Sequence, residues 1–207
     1  HGRHKKQTGG RGQFGDCHIE VEPIDEREGY EFIDKIVGGV IPQGYRPAVD
    51  KGIQEAMQRG ELVGAPVVGV RVRLVDGSYH NVDSSEMAFK IAGSLAFKQA
   101  VAAADPVLLE PIMRLDVTVP EEHVGDVIGD MTSRRGRVLG MDPGPGATIV
   151  HAEVPMAEVL AYAPDLTSMT GGRGDYTMTL LRYEEVPAHA AQAVIDAARR
   201  DREMVRA

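Results

Sequence analysis

"MRLDVTVPEEHVGDVIGDMTSRRGRVLGMD", Met113 to Asp142, decides the fold of the C-terminal half of this chain. "MRLDVTVP" reads as a strand by its alternation and ends at Pro120. Val124, Val127, Ile128 and Met131 then recur at i, i+3, i+4 and i+7, the spacing of one apolar helix face. "RVLGMD", the turn "PGPGA" and "TIVHAEVP" read as a hairpin. "MAEVLAYAPDLTSM" reads as helical in its first part, and "GDYTMTLLRYEEV" as the closing strand. The order is βαββαβ, which predicts a ferredoxin-like domain with helices on one face of an antiparallel sheet.

Upstream, the pattern differs. "DCHIEVEPI" alternates with Cys17, Ile19 and Val21 on one face, and "YEFIDKI" follows as a second strand. "YRPAVDKGIQEAMQRG" puts Val49, Ile53, Ala56 and Met57 on one helical face, with Gly60 as a stop. "PVVGVRVRLVDG" is strongly β: Val68, Val70, Val72 and Leu74 point one way, Arg71 and Arg73 the other. Asp83 is an expected N-cap with Glu86 completing a capping-box-like pair, and Ser84 and Ser85 are helix-start residues. The Ala-rich helix they open, "SSEMAFKIAGSLAFKQAVAAA", is apolar nearly all round and calls for burial. A last helix after Pro187 carries the stripe Ala191, Val194, Ile195, Ala198, which needs a surface to cover it.

Composition narrows the function classes. The chain has 207 residues, a hydrophobic share of 43% and a net charge of −8. Residues 1 to 108 hold 13 basic and 15 acidic side chains, and residues 109 to 185 hold 6 and 13, so two domains with different surfaces are expected. Residues 1 to 15 carry four Lys/Arg and no acid, a positive island on an acidic protein. The lone cysteine, Cys17, excludes an internal disulfide framework and suits a cytoplasmic protein; on its apolar strand face it reads as core. No apolar run approaches the roughly 20 residues of a membrane span, and no partner membrane is expected.

"QTGGRGQFG", Gln7 to Gly15, contains G-x-G-x-x-G, the spacing of a dinucleotide-binding fingerprint. That fingerprint requires a strand before the glycines and a helix opening on them. Here a basic arm precedes them and a strand follows, so the phosphate-cradling helix N-terminus is missing. A stand-alone nucleotide-binding enzyme using this loop remains a competing reading, beside a plain turn and a loop tip that approaches RNA closely.

"GGRGQFG", "GYEFIDKIVGGVIPQGYRPAVDKGIQEAM", "DGSYHNVDSSEMAFKIA", "PVLLEPIM" and "GDVIGDMTSRRGRVLGM" closely resemble the C-terminal half of bacterial elongation factor G, a ribosomal translocase, over about residues 4 to 195. The resemblance implies its fourth and fifth domains: an α/β module with a left-handed βαβ crossover at 1–108 plus 186–201, and a ferredoxin-like domain at 109–185. It implies a ribosome-binding, monomeric fragment acting as a steric wedge in tRNA–mRNA translocation. Two tip loops would contact nucleic acid, namely Gly9, Gly10, Arg11, Gly12 and Gln13, and Ser78, Tyr79, His80 and Asn81. Arg134, Arg135 and Arg137 read equally well as rRNA contacts or as helix C-terminal charges. No G-x-x-x-x-G-K-[ST] occurs, so neither catalytic residue nor cofactor nor metal is expected in the fragment; GTP and Mg2+ belong to a GTPase domain elsewhere in the parent chain. His80 lacks a second His or Cys at metal spacing. Departures at Tyr45-Arg46, "PGPGA" and "TGGRGDYTMTLL" leave open a paralogue that serves ribosome recycling or another ribosomal state.

Overall fold

The computed structural model describes residues 1–7, 9–25 and 29–206, with side chains to residue 204. The chain divides into two compact units, His1–Pro106 together with the segment from Ala188 onward, and Val107–Pro187.

The first unit begins with a strand where the sequence suggests only a basic arm. β1 (Gly2–Lys6) pairs antiparallel with β2 (Gln13–Pro23), Gly2 opposite Cys17 and Lys6 opposite Gln13. Its basic side chains hide it, because an edge strand needs only one buried position, here Gly2, to be held in a sheet. β3 (Tyr30–Asp34) leads through α1 (Arg46–Met57) to β4 (Val70–Ser78), which pairs parallel with β3 and antiparallel with β2. The sheet order is β1-β2-β4-β3. Pro47 enters α1 in its first turn, where its missing N–H costs nothing.

α2 (Glu86–Ala103) lies against β1 and β2 and crosses α1. Its N-cap is Ser85, whose Oγ accepts from the Ala88 N–H at 3.2 Å, so the helix starts later than a cap at Asp83 would have it. Asp83 instead contacts the glycine loop, its carboxylate accepting from the Gly12 N–H. The core joins Cys17, Ile41, Val49, Ile53, Val72, Leu74, Phe89 and Phe97, as the alternation and the helical spacing require. Each such side chain contributes roughly 1.5–3 kcal/mol of burial, which outweighs any local propensity. On the other face Arg71 and Arg73 both bind Glu22, and Arg71 also binds Glu31.

α6 (Ala188–Arg206) clusters with this unit. Arg202 donates to the Glu61 carbonyl at 2.8 Å and to that of Leu62. The expected stripe is only partly covered: Ala191, Ile195 and Ala198 are half-buried, whereas Val194 keeps 49% of its surface.

The second unit has the expected order. β5 (Leu109–Val119), α3 (Val124–Ser133), the hairpin β6 (Arg137–Gly144) and β7 (Ala147–Pro155), α4 (Met156–Val159), α5 (Tyr162–Thr170) and β8 (Asp175–Glu185) make a sheet ordered β6-β7-β5-β8, antiparallel throughout. The helices bury Val127, Met131, Val159, Tyr162 and Leu166 against Leu115, Val117, Val150, Ala152 and Val154. One detail differs from the expectation. The segment after β7 is helical mainly in its later part, with a break at Leu160–Ala161, because Pro164 sits in the first turn of α5, where proline is tolerated. α5 ends on Gly171 at φ +61°, a left-handed cap that glycine adopts without penalty.

Candidate nucleic-acid interface

Both glycine-loop and histidine-loop residues gather at one end of the first sheet. The β1–β2 connection carries Gly9 to Gly12, and the β4–α2 connection carries Tyr79 to Ser85. Strand register brings them together, since Asp16 on β2 faces Ser78 at the end of β4, and Phe14 bridges Ser84. Ser78 Oγ donates to Asp16 Oδ2 at 2.6 Å.

Asp83 and Val82 tie the loops to each other. The Gly12 N–H donates to Asp83 Oδ1 at 3.1 Å, the Phe14 N–H to the Asp83 carbonyl at 2.9 Å, and Arg11 Nε to the Val82 carbonyl at 2.9 Å. These contacts span about seventy residues of sequence, so each loop braces the other and neither is a free turn. Close packing within the unit accounts for two of the three motif glycines, Gly12 and Gly15. A Cβ on Gly12 would lie 2.9 Å from the Asp83 carboxylate, and one on Gly15 would lie 2.5 Å from the Ala88 carbonyl in α2. The close approach those two positions allow is made within the protein. Gly9, the residue just before the motif, has open space where its Cβ would stand.

His80 is held as firmly. The Asp83 and Val82 N–H groups point at its Nδ1 from 3.1 and 3.3 Å, and its own N–H donates to Ser84 Oγ at 2.9 Å. Two donors on Nδ1 assign the ring proton to Nε2, which leaves Nε2–H as the outward hydrogen-bond donor. The 3.5 Å approach of Asp83 Oδ2 to the same Nδ1 is therefore proximity rather than an ion pair. The ring is 55% exposed and sits tilted to Phe14 at 6.4 Å. Tyr79 and Asn81 are exposed beside it, and Ser78 is half-buried beneath.

Among the described residues Arg11 engages its Nε alone, with the Val82 carbonyl, so toward them its terminal nitrogens keep their donors for an anion. Gln13 is exposed but shares a 2.7 Å hydrogen bond with His4 Nε2. Arg3 lies over the Phe14 ring at 5.5 Å. Together with Lys5 and Lys6, these groups make a cationic, hydrogen-bonding rim on a braced tip, the combination that phosphates and unstacked bases call for.

The three candidate arginines of the second unit, Arg134, Arg135 and Arg137, are differently placed. Arg134 binds Asp130 at 2.8 Å, Asp165 at 2.6 Å and the Glu158 carbonyl at 2.7 Å, and its guanidinium covers the Tyr162 ring. Arg135, at φ +59° after α3, binds Glu110 and Glu158. Arg137 binds Glu153 at 2.7 Å while remaining 69% exposed. Arg182 and Arg137 hold the Glu153 carboxyl down to about 2. Acidic side chains of this unit thus pair with these three arginines, a partnership that sequence spacing does not display because the partners lie 16 to 31 residues away, apart from Asp130 one turn back along α3.

The same division recurs in proteins of known family. Residues 1–105 match the family model "Elongation factor G, domain IV", and residues 107–194 match "Elongation factor G C-terminus". The chain belongs to the elongation factor G family. An elongation factor G from Aquifex pyrophilus is 58% identical over 194 residues, covering 94% of this chain and 28% of that protein. A crystal structure of a Thermus thermophilus protein superposes with a TM-score of 0.88 at 51% identity, covering 96% of this chain and 30% of that one. The chain therefore spans less than a third of the relatives it matches. The family's models divide at residue 106, the same place at which the two cores separate.

Proposed function

We propose that this chain is the ribosome-contacting part of a translational elongation factor. In this reading the first unit's tip acts as a steric wedge that promotes tRNA–mRNA movement at the decoding region. The observation that carries it is the cross-bracing of the two loops through Asp83 and Val82, which makes a rigid cationic tip from segments about seventy residues apart. A wedge needs rigidity, because a loop that yields transmits no displacement. Arg11 faces phosphate, the Nε2–H of His80 and the exposed Tyr79 and Asn81 face bases or ribose, and Gly9 and Gly10 let backbone come close. No bond chemistry is assigned to the fragment; GTP and Mg2+ belong to a domain of the parent chain. The expected setting is the cytoplasm, with one copy of the parent acting on one ribosome.

In a full-length parent, His80→Ala and Asn81→Ala are expected to slow tRNA–mRNA movement by roughly tenfold or more, the loss typical of one or two nucleic-acid contacts. Ribosome-stimulated GTP hydrolysis should stay within about twofold, because phosphoryl transfer is set by groups in its own domain. Pre-steady-state measurement of both rates decides the matter. Equal loss of both would assign these residues to docking, and loss of neither from the Asn81 variant would remove the wedge role and favour service to another ribosomal state.

A further inference from the structure

At the outer edge of the first sheet, three metal-ligating side chains converge. β1 runs antiparallel to β2 with Gly2 opposite Cys17, so His1 stands across from His18. Asp16 and His18 are two apart on β2 and share a sheet face. The ligand atoms of His1, Asp16 and His18 all lie within 4.8 Å of one another. His1 Nε2 is 2.6 Å from Asp16 Oδ1, and the His1 and His18 rings stack at 4.1 Å with an 11° interplanar angle.

We propose that His1, Asp16 and His18 form a binding site for a divalent first-row transition cation of the zinc class. Two imidazoles and one carboxylate are a donor set for such ions, and three protein ligands leave a position for water. Donors at about 2.0–2.2 Å from a tetrahedral ion stand about 3.3 Å apart. The His1–Asp16 contact needs to open by less than about 1 Å for the cation to replace the shared proton. His18 has no hydrogen bond to the described residues, so its lone pair is uncommitted.

Two features hold the ligands in place before a cation arrives. Gly2 is buried with its α-carbon pressed on α2, where a Cβ would lie 2.0 Å from the Ala92 carbonyl oxygen, so the residue next to His1 is fixed to the core. Ser78 Oγ donates to Asp16 Oδ2, which leaves Oδ1 as the ligand oxygen and orients it as outer-shell donors do. Through Ser78 the cation would connect the β1 edge to the base of the histidine loop. The site is independent of the wedge reading, since it uses neither His80 nor Arg11.

Calorimetric titration of the chain with Zn2+, and the visible spectrum of bound Co2+, test the assignment. One saturable equivalent is expected. His18→Ala and Asp16→Asn should each weaken it at least about tenfold, a loss that even outer-shell partners produce. His151→Phe and His189→Ala, which alter histidines elsewhere, should leave it unchanged. Residues added upstream of His1 should also leave it unchanged, because the ligands are side chains. Absence of a saturable equivalent, retention of affinity in His18→Ala, or binding that requires a free α-amino group at His1 would each overturn the site.

Discussion

Asp83 shows how one side chain can be reassigned by its neighbours. Its position before "SSE" suits a helix cap, yet Ser85 caps α2 and the Asp83 carboxylate instead receives the Gly12 N–H. A carboxylate at a loop junction satisfies whichever donors the fold presents, and sequence spacing cannot rank a donor 71 residues away above one three residues on. Cys17 presents the opposite case, for its apolar alternation alone places it in the core. It is fully buried beside Asp16, and burial first, with that neighbouring charge second, pushes its thiol up to about 12. Relative to an ordinary thiol this cuts the thiolate fraction about a thousandfold, and the thiolate is the reacting species. Native chain at pH 8 is therefore expected to resist a disulfide reagent, with prompt stoichiometric labelling only in denaturant. Labelling of the native chain at the denatured rate would show that β2 is not closed over the thiol.

Elements meet in the first unit at an unusually short distance, and glycine makes that possible. A Cβ on Gly52 in α1 would lie 1.9 Å from the Lys90 carbonyl oxygen in α2, and one on Gly93 in α2 would lie 2.5 Å from the Val49 carbonyl oxygen in α1. The two helices thus cross backbone to backbone, each glycine seating the other helix. Alanine normally stabilises a helix by up to about 1 kcal/mol over glycine. At Gly52 or Gly93 the obstructing atom is backbone, so the helices must part and about 1–3 kcal/mol or more should be lost. Gly125 in α3 has open space around its Cβ position, so Gly125→Ala should gain about 0.5–1 kcal/mol. Denaturant melts of the three variants test the opposite signs; a neutral Gly52→Ala would refute the crossing. The helices and most strands were legible because their apolar periodicities bury the side chains they predict, Val49, Ile53, Ala56 and Met57 among them. β1 was not, since "GRHKK" buries only a glycine and owes its strand geometry to pairing with β2. That hidden strand also concealed the His1–Asp16–His18 cluster, whose members meet only through its register. That the two loops meet at one end of the sheet was to be expected from family resemblance alone. Nothing in their own spacing announces that Arg11 reaches the Val82 carbonyl.

At the scale of the whole molecule, the chain is two cores with two kinds of surface. One core runs from Cys17 to Val101, the other from Met113 to Leu166, and among the described residues none belongs to both. The second unit is continuous in sequence, whereas the first also takes in α6. That difference predicts unequal autonomy. The second unit closes its helices over its own sheet, and its arginines find their carboxylates within it, as Arg134 does with Asp130 and Asp165 and Arg135 with Glu110 and Glu158. At roughly 80 residues it lies above the size at which a single core needs a disulfide or metal to persist. Its inner faces carry Leu115, Val117, Val150, Val127, Met131 and Tyr162 at or near zero exposure, enough apolar burial to offset its chain entropy. An excised Val107–Pro187 chain is expected to fold alone, giving dispersed amide resonances and one cooperative thermal transition. Its carboxylate partners should matter to that transition. Glu153, held near 2 by Arg182 and Arg137, is ionised in the folded state at pH values where it is protonated in the unfolded chain. A group with a depressed folded value stabilises above its unfolded value of about 4.5, and that contribution disappears as pH falls toward about 2. The excised unit should accordingly lose melting temperature steadily from pH 5 to pH 2, and Glu153→Gln should flatten the slope while leaving the fold intact. A collapsed, unstructured spectrum at pH 7 would show that the second core depends on the rest of the chain. An unchanged slope in Glu153→Gln would instead remove the Glu153 ion pairs with Arg182 and Arg137 from the account of its acid stability.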